Sequence, residues 1–207
     1  VQQPNQITEL VRGEEVEVAQ GSLGAHLINQ ERGVTGYPAL ATDNELKKAN
    51  ALYTHDESNI EEPQDLEGAK IGVHSQSSAS VIYSLGILEN YYDVDLNTVE
   101  WVNQSPPQLF SLLEQNDLDA TVLFADFWWI ADSMPVMKEL FNTAETWAEW
   151  TGGRESLVFQ VVLVQEEWVD NNSGVDEDLL RTLQRSRDYR EENLREVIER
   201  YAEEEPD

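Results

Sequence analysis

The sequence has 207 residues, 40% of them hydrophobic, which is enough to bury one large core or two smaller ones. Its 41 acidic and 13 basic residues give a formal net charge of -28 that is spread along the whole chain. This charge disfavours contact with nucleic acid or an anionic membrane and indicates adaptation to high salt, the alternative being an ordinary acidic protein. The absence of cysteine excludes disulfides, thiolate metal sites, a cysteine nucleophile and a lipid-modified cysteine from this chain.

The first third of the chain predicts short elements separated by glycine-containing turns. In chain order they are a helix fragment at 6–12, a strand at 16–19, a turn at 20–24, a helix at 25–32, strands at 37–42 and 49–54, and a surface segment at 58–66. The strand, turn and helix start around residue 20 form the first place where a helix N-terminus follows a strand.

From residue 68 onward, strands alternate with helices. The predicted strands lie at 70–73, 98–102, 120–123, 139–141 and 157–164, and the predicted helices at 78–89, 106–115, 127–138, 166–171 and 176–202. This alternation predicts an α/β fold built from βαβ units, with parallel pairing and right-handed crossovers.

Four polar residues, Ser75, Gln76, Ser77 and Ser78, join the strand predicted at 70–73 to the helix that follows. A helix start exposes unpaired backbone N–H groups and partial positive charge, which favour an anionic or polar ligand. In the alternative interpretation, one serine caps the helix and the others are ordinary loop residues.

Three blocks of the sequence resemble the sulfonate, nitrate and thiamine-precursor substrate-binding proteins of ABC transporters, the type 2 periplasmic binding proteins. The blocks are GEEVEVA at 13–19 followed by Gly21 and Ser22, DLEGAKIGV at 65–73, and DLDATV at 117–122. A long apolar strand followed by an acidic, tryptophan-containing helix completes the pattern, which covers roughly residues 5 to 200.

The resemblance implies an α/β fold of two lobes with mixed, mainly parallel sheets and a ligand closed between the lobes. By position, the first lobe comprises residues 1–67 and 156–207, and the second comprises residues 68–155. Relative to the family, the sequence begins late and ends early, so we expect either a fragment or a naturally reduced member.

The resemblance also implies which residues face the cleft. They are Gly21 and Ser22 from the first lobe and Ser75, Gln76, Ser77 and Ser78 from the second. Two helix N-termini are therefore expected to converge on one ligand.

Four further residues are candidates for the cleft, each with an alternative. Asp126 either accepts from an amine-bearing ligand or caps a helix, and Arg154 either holds an anion bidentately or forms a surface ion pair. Trp128 and Trp129 either stack on a ligand ring or belong to the core. Since residues 124–126 read Phe-Ala-Asp where the family often has a Trp-Glu-Pro-like turn, the ligand identity stays open.

The three histidines, His26, His55 and His74, lack metal-ligand spacing, so we expect neither a metal site nor a cofactor. His74 adjoins the serine turn and is a candidate for a hydrogen bond to the ligand, whereas His26 either faces the cleft or packs.

The leading hypothesis is a non-catalytic binding protein that delivers a small solute to an ABC importer. The resemblance implies an extracytoplasmic, monomeric protein held at the membrane by a transporter or an anchor, although the sequence itself shows no secretion signal. The alternatives are a biosynthetic enzyme on the same fold, similar to those of the menaquinone pathway, and a ligand-sensing domain.

Overall fold

A computed structural model describes residues 10–34, 38–41, 50–124, 126–153 and 157–204 of the chain. Part of the helix predicted at 6–12 and the two end residues of the strand predicted at 37–42 lie outside these residues. Arg154 lies outside them as well, and the position of the Asp126 side chain is not described.

The described strands form two separate sheets. The strands are β1 (Val18–Ser22), β2 (Ala39–Ala41), β3 (Asn50–His55), β4 (Lys70–Val73), β5 (Glu100–Asn103), β6 (Ala120–Phe124), β7 (Met137–Asn142) and β8 (Gln160–Val164). The small sheet has the order β1-β8-β2, and the large sheet has the order β5-β4-β6-β3-β7.

Helices follow most of the strands. They are α1 (Leu23–Glu31), α2 (Ala79–Asn90), α3 (Pro106–Glu114), α4 (Asp126–Asp132), α5 (Thr143–Thr151), α6 (Glu166–Asn171), α7 (Val175–Glu192) and α8 (Leu194–Glu204). Short 3-10 helices lie at Pro63–Leu66 and Leu96–Thr98. Of the helices within the described part of the chain, none has the length and apolarity required to cross a membrane.

The α/β class with mixed sheets is confirmed, but the described pairings are not mainly parallel. β4 pairs in parallel with β5 and β6, whereas β3 runs antiparallel to both of its neighbours. In the small sheet, β8 runs antiparallel to β1 and β2. Local alternation of strands and helices reveals the βαβ units around β4, but it does not reveal a strand that enters a sheet from a distant part of the chain.

β3 corrects the boundary predicted at residue 67. The predicted division places β3 in the first lobe, yet β3 lies in the large sheet, where it separates β6 from β7. The chain therefore passes from the small sheet to the large one between β2 and β3, and returns between α5 and β8. Two crossing segments join the sheets, and the lobe division itself stays a prediction.

The large sheet is covered on both faces, because successive side chains of a strand point to opposite sides. Leu52 and Val122 pack with residues of α2 in one core cluster. Ala51 and Leu123 pack with residues of α3 and α4 in the other. The small sheet has its own cluster, formed around Val11, Val161 and Leu163.

Two helices predicted from the sequence need correction, and a third helix is absent from the prediction. The helix predicted at 127–138 ends at Asp132, since Pro135 cannot continue it. Helix α5 was not predicted, although Asn142 caps it by accepting hydrogen bonds from the backbone N–H groups of Ala144 and Glu145. The helix predicted at 176–202 is interrupted at Asn193, whose side chain donates to the Tyr189 carbonyl and competes with the backbone.

Candidate functional site

One edge of the large sheet gathers most of the polar candidates. The carboxyl ends of β4 and β6 lie there together with the amino end of β3, where Asn50 pairs with Phe124. His74 directly follows β4, and its ring lies 4.3 Å from the ring of Phe124. Ligands of open α/β sheets bind outside the carboxyl ends of the strands, so this edge is the expected location of a site.

The N-termini of α1 and α2 meet at this edge. Ser22 caps α1 by accepting from Ala25 N–H at 3.3 Å, and the same Oγ accepts from Ala79 N–H of α2 at 3.1 Å. A Cβ at Gly24 would lie 2.4 Å from Cδ1 of Ile82 and 3.4 Å from Cα of Ala79, so α1 packs closely against the start of α2. The two helix starts are therefore in direct contact.

The serine turn hydrogen-bonds largely within itself. Ser78 is buried and caps α2, with its Oγ accepting from Val81 N–H at 3.3 Å. Ser75 Oγ lies 3.0 Å from Ser77 Oγ, and the Ser75 carbonyl accepts from Ser78 N–H at 3.1 Å. Gln76 is exposed. Ser78 thus has a clear structural role as the cap of α2, whereas Ser75, Gln76 and Ser77 lie in the turn that precedes the helix.

Aromatic side chains pack beside the contact between the helix starts. Tyr83 of α2 donates its hydroxyl to the Val158 carbonyl at 3.0 Å, and its ring contacts those of Phe159 and Trp147 edge-on. Leu23 N–H in turn donates to the Phe159 carbonyl at 3.2 Å. The segment that precedes β8 is thus fixed to both α1 and α2.

A buried polar cluster underlies α2, and the sequence reasoning did not find it. Asn50 is 2% exposed, and its Nδ2 lies 3.0 Å from the Ser80 carbonyl, 3.3 Å from Ser84 Oγ and 2.9 Å from Thr143 Oγ1. Its Oδ1 is buried without a hydrogen-bond partner among the described residues. The one sequence feature that could have indicated this cluster is an asparagine at the start of an apolar strand. The cluster joins the beginning of β3 to the first turns of α2 and α5.

Both histidines near the contact are held neutral by burial. Desolvation lowers the pKa of His74 to about 4, and its Nδ1 has no hydrogen-bond partner among the described residues. Burial also lowers the pKa of His26, which is 3% exposed on α1. Neutral imidazoles in this region act as hydrogen-bonding groups and do not supply positive charge.

The remaining predicted residues are placed differently. Gly21 lies in β1, where a Cβ would come within 2.6 Å of Leu163, so its lack of a side chain serves the packing of the small sheet. Trp128 is half-buried against the second core cluster, and Trp129 is 70% exposed. Within the described ranges, no group of three or more histidine or acidic residues is arranged to hold a metal ion.

The fold is that of the two-lobe periplasmic binding proteins, as shown by solved structures that share it. The periplasmic aliphatic sulphonate binding protein SsuA from Escherichia coli has a TM-score of 0.79 at 14% identity, over 98% of this chain and 62% of that chain. SsuA from Xanthomonas axonopodis pv. citri, bound to MOPS, gives 0.72 at 14% identity, over 97% and 65% of the two chains. A ligand-binding component of an ABC-type import system from Staphylococcus aureus, with zinc bound, gives 0.60 at 11% identity, over 80% and 54%.

Residues 2–194 match the family model described as NMT1/THI5 like, and the chain belongs to this family. The resemblance predicted from the sequence is thereby confirmed. Among curated proteins, no sequence matches the chain significantly. The chain spans 62% of the length of the E. coli structure that it resembles.

Proposed function

We propose that the protein is a non-catalytic binding protein that holds a small solute between its two lobes and delivers it to an ABC importer outside the cytoplasm. The observation that carries the proposal is the convergence of the α1 and α2 N-termini at Ser22 and Ala79, where the two sheets meet. The sulphonate-binding names of the similar structures support the same role.

The ligand class we propose is a small molecule with an anionic or strongly accepting group, such as a sulfonate, nitrate, a carboxylate or a thiamine-pyrimidine precursor. Lysines are scarce in a chain of charge -28, so backbone N–H groups and hydroxyls must supply the donors. The proposed contacts are Ser22, Ser75, Gln76, Ser77 and Ser78, together with Gly21 through its backbone and with Asp126 and Arg154.

Calorimetric titration of a ligand panel in molar salt tests the proposal. The panel contains ethanesulfonate, MOPS, nitrate, short carboxylates and aminopyrimidines. We expect Ser77→Ala to weaken binding of the best ligand by about 1 kcal/mol, the net value of one hydrogen bond, and by more if the bonded group is charged.

Ser133→Ala is the control, because Ser133 is exposed and its Oγ donates to the nearby Ile130 carbonyl at 2.7 Å. Ser133 precedes β7, whose first residue pairs with His55, at the opposite end of β3 from Asn50. Ser133→Ala should leave affinity unchanged. A best ligand that is cationic, with an affinity that Ser77→Ala does not alter, would contradict the assignment of the serine turn. If nothing in the panel binds at millimolar concentration, the proposed ligand class is wrong.

A further inference from the structure

Two hydrogen bonds, among those of the described residues, connect the small-sheet part of the molecule to the large-sheet part. Ala79 N–H donates to Ser22 Oγ at 3.1 Å, and the Tyr83 hydroxyl donates to the Val158 carbonyl at 3.0 Å. In a two-lobe binding protein, a ligand that bridges the lobes stabilises the closed state. Here the bridging atoms belong to the chain itself.

Of the two hydrogen bonds, the one to Ser22 is the more informative about the lobe contact, because a single oxygen accepts from both helices. A hydroxyl has two acceptor lone pairs, and Ser22 Oγ uses them for Ala25 N–H of its own helix and for Ala79 N–H of the other lobe. The donor in α2 that would otherwise face a ligand or water is therefore already occupied.

The packing around Ser22 matches a closed contact. Cα of Ala79 lies 3.4 Å from the position that a Cβ of Gly24 would take, and Ala79 is 4% exposed. Leu157 and Phe159 complete a buried apolar cluster around Ala79. The Ser22–Ala79 hydrogen bond is thus partly buried, which adds to the cost of losing it.

We propose that Ser22 is a latch that keeps the two lobes closed when no ligand is bound. The hydroxyl takes the place of a ligand at the α2 N-terminus, and a ligand that needs Ala79 N–H must displace it. The latch concerns the ligand-free chain, so it can be tested whether or not the proposed ligand class is right.

Distances between two spin labels on the ligand-free protein test the latch. Because the chain has no cysteine, Glu31→Cys on α1 and Gln115→Cys after α3 provide two exposed labelling sites without background. Pulsed dipolar spectroscopy in molar salt should give one narrow distance distribution for the otherwise unchanged protein. A broad or bimodal distribution there would overturn the proposal without any further variant.

Three variants then separate the latch from helix capping. Ser22→Ala should add a second distance population and raise the open-to-closed ratio about fivefold, the change expected for the net loss of one hydrogen bond. Ser22→Thr keeps a hydroxyl and should restore the narrow distribution. Ser105→Ala removes the N-cap hydroxyl of α3, which bonds to Gln108 of its own helix and to neither α1 nor α2 among the described hydrogen bonds, and should leave the distances unchanged.

Circular dichroism establishes that each variant is folded before labelling. If the Ser22→Ala distances equal those of the unchanged protein, the hydroxyl is only a helix cap and the latch is refuted. Equal opening in Ser22→Thr and Ser22→Ala would refute it as well.

Discussion

Asn50 offers a sharp test of the buried polar cluster, through a substitution that keeps the shape and reverses the hydrogen-bonding character. Asn50→Asp replaces the Nδ2 donor with an oxygen. That oxygen would face the Ser80 carbonyl at about the 3.0 Å now spanned by a hydrogen bond. Ser84 Oγ donates to the Ser80 carbonyl at 3.0 Å, so Thr143 Oγ1 is the donor in the 2.9 Å bond between the two hydroxyls. Neither hydroxyl can therefore donate to the new carboxylate without giving up another contact.

The expected magnitudes differ clearly between Asn50→Asp and the truncation Asn50→Ala. Truncation removes at most two real hydrogen bonds, since an amide nitrogen carries two protons, and each has a net value of about 1 kcal/mol. It also removes the unpaired Oδ1, which offsets part of that loss, so we expect about 1–2 kcal/mol of destabilisation. A buried carboxylate without a cation should cost about 3–5 kcal/mol.

Urea denaturation at a fixed molar salt concentration measures both free energies of unfolding. Asn90→Asp is the matched control, because Asn90 also donates from Nδ2 to a backbone carbonyl but is exposed. Asn90→Asp should lower the free energy of unfolding by less than about 1 kcal/mol, since a solvated charge keeps its hydration. If Asn50→Asp proves as stable as Asn50→Ala, the cluster is not dry and the reasoning fails.

The pH dependence supplies a second check on the same variant. Burial should raise the folded-state pKa of the introduced carboxyl above its unfolded value of about 3.9. The unfolded state then loses its proton first as pH rises, so the deficit relative to the unchanged protein should shrink as pH falls toward 4. A deficit that does not change with pH would show that the introduced charge is solvated.

Further outcomes follow from charge, burial and backbone packing. The thermal midpoint should rise between dilute buffer and molar potassium chloride, because salt screens repulsion within a chain of charge -28; an unchanged midpoint would remove the halophilic interpretation. NMR titration should find His74 neutral at pH 5.5, since burial lowers its pKa to about 4. Below about pH 6.5 the unfolded state binds a proton at this imidazole and the folded state does not, so the protein loses stability as pH falls. His74→Gln removes this imidazole and should make that loss smaller. Gly72→Ala should destabilise by about 1–3 kcal/mol, because its Cβ would lie 2.6 Å from Leu109 and 2.7 Å from Leu118. Gly86→Ala, in open space within α2, should instead stabilise the protein by about 0.5–1 kcal/mol. If the thermal midpoints of Gly72→Ala and Gly86→Ala shift in the same direction, this reasoning is contradicted.

Local features of the sequence were sufficient for most elements of the large sheet. The strand at 70–73, the helix start after Ser78 and the proline-led helix at Pro106 each carry a signal within a few residues of their boundary. Helix α5 was missed, because it follows β7 without an intervening loop and its cap, Asn142, is also the last residue of that strand.

Long-range contacts account for what the sequence did not reveal at the site. The serine turn was located from its neighbours alone, but the partner of Ala79 N–H lies 57 residues away, at Ser22. The burial of Asn50 depends likewise on Thr143, which is 93 residues further along the chain. No pattern in a single sequence specifies either pair, since hydrogen bonds of this kind follow from how complete elements pack.

The strand order also constrains when the protein can fold as it is synthesised. β3 ends at His55, but its two partners, β6 and β7, end only at Phe124 and Asn142. The partner of β1 is synthesised later still, because β8 spans Gln160–Val164. Early strands therefore emerge from the ribosome with exposed edges, and the large sheet is not complete until Asn142 has been added, nor the small sheet until Val164. Pairings across such separations favour slow, late cooperative folding.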